Sequence, residues 1–203
     1  MMAKRTADII LSTVLIVILA PVFPIVALLV RMKLGPKVLF AQERVGLNER
    51  LFTIYKFRTM TFGRDASGLL LPDEERLTPL GKFLRLTSID ELAELFNVLK
   101  GDMSLVGPRP LFERYLPYYT EEEKKRFTMH PGITGWAQVH GRNDVPWDER
   151  LKLDVWYVDN WSFALDMKIL FMTAIKMLKG EGIQVSPGSV MLDLDEERKR
   201  NVS

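Results

Sequence analysis

Apolar side chains concentrate first in residues 9–30, where only Ser12 and Thr13 are more polar than alanine. Those 22 residues match the roughly 20 that a straight helix needs to cross the hydrocarbon core of a bilayer. Two features disturb a simple spanning pattern. Pro21 and Pro24 fall in the middle, where a missing backbone donor and a clash with the preceding turn favour a bend. Lys4 and Arg5 precede the run and Arg31, Lys33 and Lys37 follow it, whereas basic flanks belong on the cytoplasmic side. If both flanks obey that rule, the segment enters and leaves by one face, as two halves each too short to span. The pattern leaves two topologies open, a kinked re-entrant helix and a spanning one. A secretory signal fits poorly, because the run is long and no small-x-small cleavage site follows it.

Beyond Gly35 and Pro36 the period changes. Residues 38–41 read as a short strand, 44–48 as a turn and 51–58 as a second strand, with 46–50 as the hairpin connection. In that second strand Thr53, Tyr55 and Phe57 share one face, opposite Phe52, Ile54, Lys56 and Arg58. Residues 61–76 read as a loop, and 80–86 as a short amphipathic helix. Leu92, Leu95, Phe96 and Leu99 recur at helical spacing up to Gly101. Residues 121–127 suggest a charged surface helix, and 131–142 a loop with a short apolar run. Residues 151–161 and the amphipathic 164–178 complete the helices, and the last eleven residues read as a solvated tail or frayed helix. No internal repeat is present. The expected fold is α/β and mostly helical, divided into a membrane segment (1–34), a catalytic domain (35–190) and a charged tail (191–203).

Composition changes this picture little. A length of 203 residues suits one domain with a substantial core, and a net charge of +2 gives no bulk electrostatic case for nucleic acid. The absence of cysteine excludes disulfides and thiolate metal sites. No Walker-type loop, HExxH or GxSxG is present, and His130 and His140 stand too isolated to suggest a metal site.

The chemistry-bearing residues gather in 87–110. Ser88-Ile89-Asp90-Glu91 has the spacing of a capping box, in which Glu91 folds back onto the Ser88 amide. The same helix start would also stabilise an ionised Asp90 and offer amides to a phosphate. Adjacent helical residues do not share a face, so the two carboxylates would play separate roles. Arg109 sits between Pro108 and Pro110, which lowers the entropy cost of aiming a guanidinium at phosphate. By spacing alone, Lys56, Arg58 and Arg85 are ordinary surface charges and Asp154 a helix-surface carboxylate. Gly132, Gly135 and Gly141 around Trp136 would allow backbone to approach a planar ligand. Lys168, Lys176 and Lys179 could meet anionic headgroups.

Three ordered motifs, KFRTM at 56–60, DELAELFNVLKGDMSLVGPRP at 90–110 and PGITGWAQVHGR at 131–142, resemble the bacterial sugar transferases. More narrowly, the chain looks like the small monotopic phosphoglycosyl transferases. The resemblance implies transfer of a phosphosugar from a UDP-sugar to polyprenyl (undecaprenyl) phosphate, with release of UMP and a requirement for Mg2+. It makes Asp90 the nucleophile and metal-binding carboxylate and Glu91 its dyad partner. Lys56, Arg85, Arg109, Asp154 and Arg142 match substrate- or phosphate-binding positions. It further implies a re-entrant N-terminal helix, interfacial amphipathic helices and an active site on the cytoplasmic face of the bacterial inner membrane; a homodimer stays open. The family's re-entrant helix usually breaks at Ser-Pro, whereas this chain has Ala20-Pro21, with Pro24 as a second break. Two other classes compete: a membrane-anchored scaffold that has lost catalysis, and a metal-dependent phosphohydrolase of nucleotide-sugars.

Overall fold

A computed structural model describes residues 2–141, 145–179 and 192–200. Helices α1 (Met2–Leu19) and α2 (Val22–Leu34) meet at a bend of 63°. Among the described residues no single helix is long and apolar enough to cross a membrane, but this bent pair together has the length and composition. Pro21 sits at the junction, as the residue preceding α2. Pro24 makes no second break. It lies in the first turn of α2, where backbone N–H groups have no intrahelical acceptor, so its missing donor costs nothing.

The expected basic flank behaves differently at its two residues from simple headgroup anchors. Lys4 is buried, and its Nζ donates to Val106 O at 2.9 Å and Asp166 Oδ2 at 2.6 Å. Arg5 donates to the Val98 and Leu99 carbonyls, at the helix end where a cation meets the negative pole of the backbone dipoles. Asp8 accepts the Leu105 amide at 3.1 Å. The first turns of α1 are thereby fastened into the rest of the chain.

Strands β1 (Leu39–Val45) and β2 (Leu51–Phe57) form an antiparallel hairpin running in register from Leu39 opposite Phe57 to Val45 opposite Leu51. β1 is longer than expected because the connection needs only residues 46–50, with Asn48 and Glu49 at positive φ. β2 is buried on both faces, Ile54 against Leu95 and Val98, and Phe57 against Val26, Val30 and Leu84. One turn of helix, α3 (Asp73–Arg76), interrupts the expected loop. α4 (Pro79–Leu86) is capped by Thr78, whose hydroxyl accepts the Gly81 amide. A 3-10 turn, Ile89–Ala93, then leads into α5 (Glu94–Lys100), which ends at Gly101 with φ 100°.

β3 (Ser104–Val106) pairs in parallel with β4 (Gly132–Thr134). Between them lie α6 (Glu121–Lys124), which carries a capping box at Thr120, and a 3-10 turn, Lys125–Thr128. Segment 131–142 is therefore not a plain loop: after β4 it forms α7 (Trp136–Val139). Two of its glycines, Gly132 and Gly135, are required by the fold itself. A Cβ on Gly132 would lie 2.1 Å from Gly107 N, and one on Gly135 2.1 Å from Gly107 O, so bare backbone is needed where the two segments cross.

α8 (Trp147–Asp159) and α9 (Phe163–Lys179) pack behind this crossing. α9 leaves Phe163, Met167, Phe171 and Ile175 exposed at four-residue spacing. Residues 192–200, expected as a solvated tail or frayed helix, instead include a docked helix: α10 (Leu194–Arg200) packs with Leu194 fully buried against Tyr115 and Trp147. Arg198 pairs with Glu123 and Asp148 at 2.7 and 2.6 Å, and burial of the leucine outweighs fraying of a charged terminus.

A Cβ at residue 81 would fall 1.9 Å from the Thr59 carbonyl oxygen. Gly81→Ala should therefore force α4 off the end of β2 and cost about 1–3 kcal/mol of stability. A thermal melt matching the parent chain would contradict this packing.

Candidate active site

The site begins at the end of β2. Lys56 points from that strand toward the 3-10 turn, and Asn97 of α5 fixes the spacing between the two. Asn97 is buried, and its amide group donates to Thr53 O at 2.7 Å and accepts from Tyr55 N at 3.2 Å. Strand and helix are thus joined by a side chain that substitutes for a neighbouring strand.

The capping box expected at Ser88 does not form. Ser88 adopts a left-handed conformation, φ 54°, and its side chain accepts no cap hydrogen bond. Glu91 instead turns inward, where its Oε1 accepts from Lys56 Nζ at 2.6 Å and from Arg109 Nη2 at 3.0 Å. Burial alone would raise the Glu91 pKa, but the charges and hydrogen bonds of Lys56 and Arg109 hold it well below the usual carboxylate range. Two cations thus compete successfully with a backbone amide for one carboxylate.

Arg109 reaches Glu91 from the opposite side. β3 runs directly into Gly107-Pro108-Arg109-Pro110, and this segment is latched to β4 by Gly107 N donating to Thr134 O (2.9 Å) and Gly132 N donating to Pro108 O (3.0 Å). The Arg109 carbonyl accepts from Arg126 Nη2 at 2.6 Å. Arg126 in turn holds Asp154 Oδ2 through Nε (3.2 Å) and Nη2 (2.8 Å), with both side chains 2% exposed.

These residues frame a cavity of about 540 Å3. Among the described residues, seven basic side chains and three acidic ones line it, an excess of positive charge that suits anions. Asp90, buried but open to the cavity, accepts no hydrogen bond from the described residues. Burial, and then the neighbouring charge of Glu91, push its pKa up to about 6 against the pull of Lys56 and Arg85. Arg85 is steered by Nε donating to Thr59 Oγ1 at 3.1 Å. Arg58 also lines the cavity, but its Nη2 is engaged by the Leu34 and Gly35 carbonyls at the end of α2. Lys56 lies on β2 and Arg58 follows its end, so the expected common strand face does not extend to Arg58; both line the cavity but meet different partners.

The structure therefore brings Asp90, Glu91, Lys56, Arg85 and Arg109 together. Asp154 is corrected from a surface carboxylate to a buried one that pairs with Arg126, which holds the Arg109 carbonyl. Arg142 lies outside the described residues. Sequence reasoning missed Glu94, which is 2% exposed beneath Lys56 at 3.1 Å. Burial, with the Glu91 charge, pushes its pKa up to about 7 despite Lys56. It also missed Arg44 and Arg150, both on the cavity wall. Glu94 and Glu91 lie three residues apart, a helical spacing that could have signalled a second acidic group facing Lys56.

Metal binding rests on little protein. Among the described residues no three His, Asp or Glu side chains gather as a metal cluster. Of the described carboxylates lining the cavity, Asp90 alone is unengaged, which fits a cation such as Mg2+ that takes one or two carboxylates and draws its other ligands from phosphates and water.

A family model described as bacterial sugar transferase matches residues 1–180. A protein described as the uncharacterized sugar transferase EpsL of Bacillus subtilis is 54% identical over 184 residues, covering 91% of each chain. The undecaprenyl-phosphate galactose phosphotransferase of Salmonella typhimurium is 39% identical over 88% of this chain, which spans only 41% of that protein. A UDP-N-acetylgalactosamine-undecaprenyl-phosphate N-acetylgalactosaminephosphotransferase of Aeromonas hydrophila is 40% identical over 88% of this chain and 44% of its own length.

Removing one partner of a buried ion pair strands the other charge. Asp154→Ala should lower stability by about 3–5 kcal/mol, read as the denaturant midpoint, with Asp154→Asn losing less. A wild-type midpoint for the alanine variant would return Asp154 to the surface.

Proposed function

The chain belongs to the bacterial sugar transferase family, and from that premise we propose that it transfers a phosphosugar from a UDP-sugar to polyprenyl phosphate and releases UMP. The relatives named above as undecaprenyl-phosphate sugar phosphotransferases support the reaction class. The observation that carries the reading is an unengaged Asp90 beside Glu91, whose charge is committed to Lys56 and Arg109. A scaffold has no use for a free buried carboxylate facing a cationic cavity.

In this reading a carboxylate oxygen of Asp90 attacks the sugar-bearing phosphorus of the donor. The bond from that phosphorus to the bridging oxygen breaks, and UMP leaves with the electron pair. An aspartyl phosphosugar remains, so one difficult displacement becomes two easier ones. An oxygen of the lipid phosphate then attacks the same phosphorus and the aspartyl bond breaks, restoring the carboxylate. Lys56 and Arg109 offset charge developing on the phosphoryl oxygens. Glu91 acts as a positioning residue, holding both cations at the cavity wall. Arg85, aimed by Thr59, contacts phosphate and favours ionisation of Asp90. Asp90 would hold Mg2+, whose charge would offset that of the diphosphate.

A membrane location follows the same logic. The outward faces of the bent pair expose Ile10, Val14, Val17, Ile18, Ile25, Leu28 and Met32, and α9 adds its apolar stripe. An apolar surface of this extent needs a covering. We read it as embedded in the cytoplasmic leaflet of the inner membrane, with α1 and α2 re-entrant and α9 at the interface. Arg58 ties the end of α2 to the cavity, which brings a membrane-held lipid phosphate to the catalytic carboxylate.

Asp90→Asn should abolish UMP release and the covalent phosphosugar adduct, followed by nucleotide release and by intact-protein mass spectrometry. The parent chain should release UMP from at least one member of a UDP-sugar panel only when polyprenyl phosphate is supplied for turnover. Turnover without the lipid would favour a hydrolase, and full activity of the asparagine variant would end the aspartyl mechanism. Reporter tags at residues 1 and 203 should both read out in the cytoplasm, whereas an external N-terminus would exclude the re-entrant topology.

A further inference from the structure

The cavity holds more positive charge than its central cluster employs. Arg150 is 6% exposed yet lines the cavity. Its guanidinium lies 4.7 Å from the Trp147 ring centroid, and among the described residues that ring is its only direct partner. Arg44 stacks 3.7 Å from the Phe112 ring centroid and spends a single hydrogen bond on Gln42, at 2.6 Å. Its buried Nε has no partner.

The two arginines share one wall. Phe112 packs edge to face on Tyr115 at 5.4 Å, and Tyr115 on Trp147 at 5.6 Å. Burial, and then the charge of Arg109, hold both guanidinium groups down to about 10. The charges of Asp154 on Arg150 and of Glu94 on Arg44 offset only part of this, and neither guanidinium makes an ion pair with a described carboxylate, so taking them out of water is costly. Two such groups on a rigid aromatic backing form a preorganised receptor for phosphate oxygens.

We infer that Arg44 and Arg150 form a second phosphate pole of the cavity, which holds the nucleotide-side phosphate of the donor and retains it on the nucleoside monophosphate product. The inference rests on the transferase reading for the identity of the donor. The nucleotide is favoured over the lipid phosphate by position. Arg58 and Phe62 adjoin the end of α2, where an apolar acceptor would enter. The Arg44–Arg150 wall is backed instead by Tyr115, Trp147 and Leu194, on the side fastened by α8 and α10.

UMP binding to the purified full chain, measured by calorimetry, provides the test. Arg44→Gln and Arg150→Gln should each weaken UMP by at least about tenfold, the usual scale of a lost charge-assisted hydrogen bond. Both should raise KM for the UDP-sugar and leave KM for polyprenyl phosphate unchanged. Arg150→Lys keeps the buried charge and guards against misfolding. It should lose several-fold in UMP affinity, because an ammonium lacks the planar fork. Wild-type UMP affinity in Arg150→Gln and Arg150→Lys overturns the proposal, as does a parent chain that binds no UMP. A KM change confined to polyprenyl phosphate overturns it too, by assigning the pole to the lipid. If UMP binds through these arginines while no phosphosugar reaches the lipid, the pole stands and the transferase reading fails.

Discussion

Everything in this site depends on the Glu91 carboxylate being buried between Lys56 and Arg109. Taking three charges from water is unfavourable unless each finds partners at hydrogen-bond distance, and here a single carboxylate oxygen receives both cations. The arrangement holds Glu91 ionised, and its negative charge helps to keep the Asp90 proton affinity high. Two adjacent carboxylates thus acquire opposite character. One is consumed by the scaffold, and the other faces the cavity unengaged.

Such a cluster tolerates little slack, and the fold removes it from both sides. On one side Asn97 bolts α5 to the backbone of β2, so the turn carrying Asp90 and Glu91 cannot drift from Lys56. On the other, three glycines let β3, β4 and the Gly107–Pro110 segment cross at backbone contact, and the buried Arg126–Asp154 pair grips the Arg109 carbonyl. Precision at the guanidinium comes from these supports as much as from the flanking prolines.

The cavity also links two environments. Its Arg58 wall is tied to the end of α2, at the foot of the bent apolar pair, while its Arg44–Arg150 wall rests on an aromatic cluster closed by α10. In the proposed reaction a lipid acceptor and a polar nucleotide must reach one phosphorus without sharing an approach. Walls of such different backing suit that division.

Much of this was legible in the chain itself. The 22-residue apolar run with central prolines left a bent and a straight helix open, with the bend favoured locally because proline lacks a backbone donor. Alternation in 51–58 and helical spacing in 92–99 gave the hairpin and α5, because burial imposes those periods whatever the partner. Asp90, Glu91, Lys56, Arg85 and Arg109 were recoverable from motifs. Their relation was not. Ser88 to Glu91 spells a capping box, and only the arrival of Lys56, 35 residues away, and Arg109, 18 residues away, draws Glu91 off the backbone. Asp154 reads as a surface charge and Lys4 as a flank of the apolar run, and Arg44 and Arg150 carry no signal at all, because local spacing says nothing about which distant side chain will sit opposite. The sequence by itself determined the apolar run with its prolines, the hairpin and α5, and named charged residues that gather at the candidate site. Tertiary structure alone decided which charges are paired and which are left free, because the energy of a buried charge is set by neighbours that the chain supplies from afar.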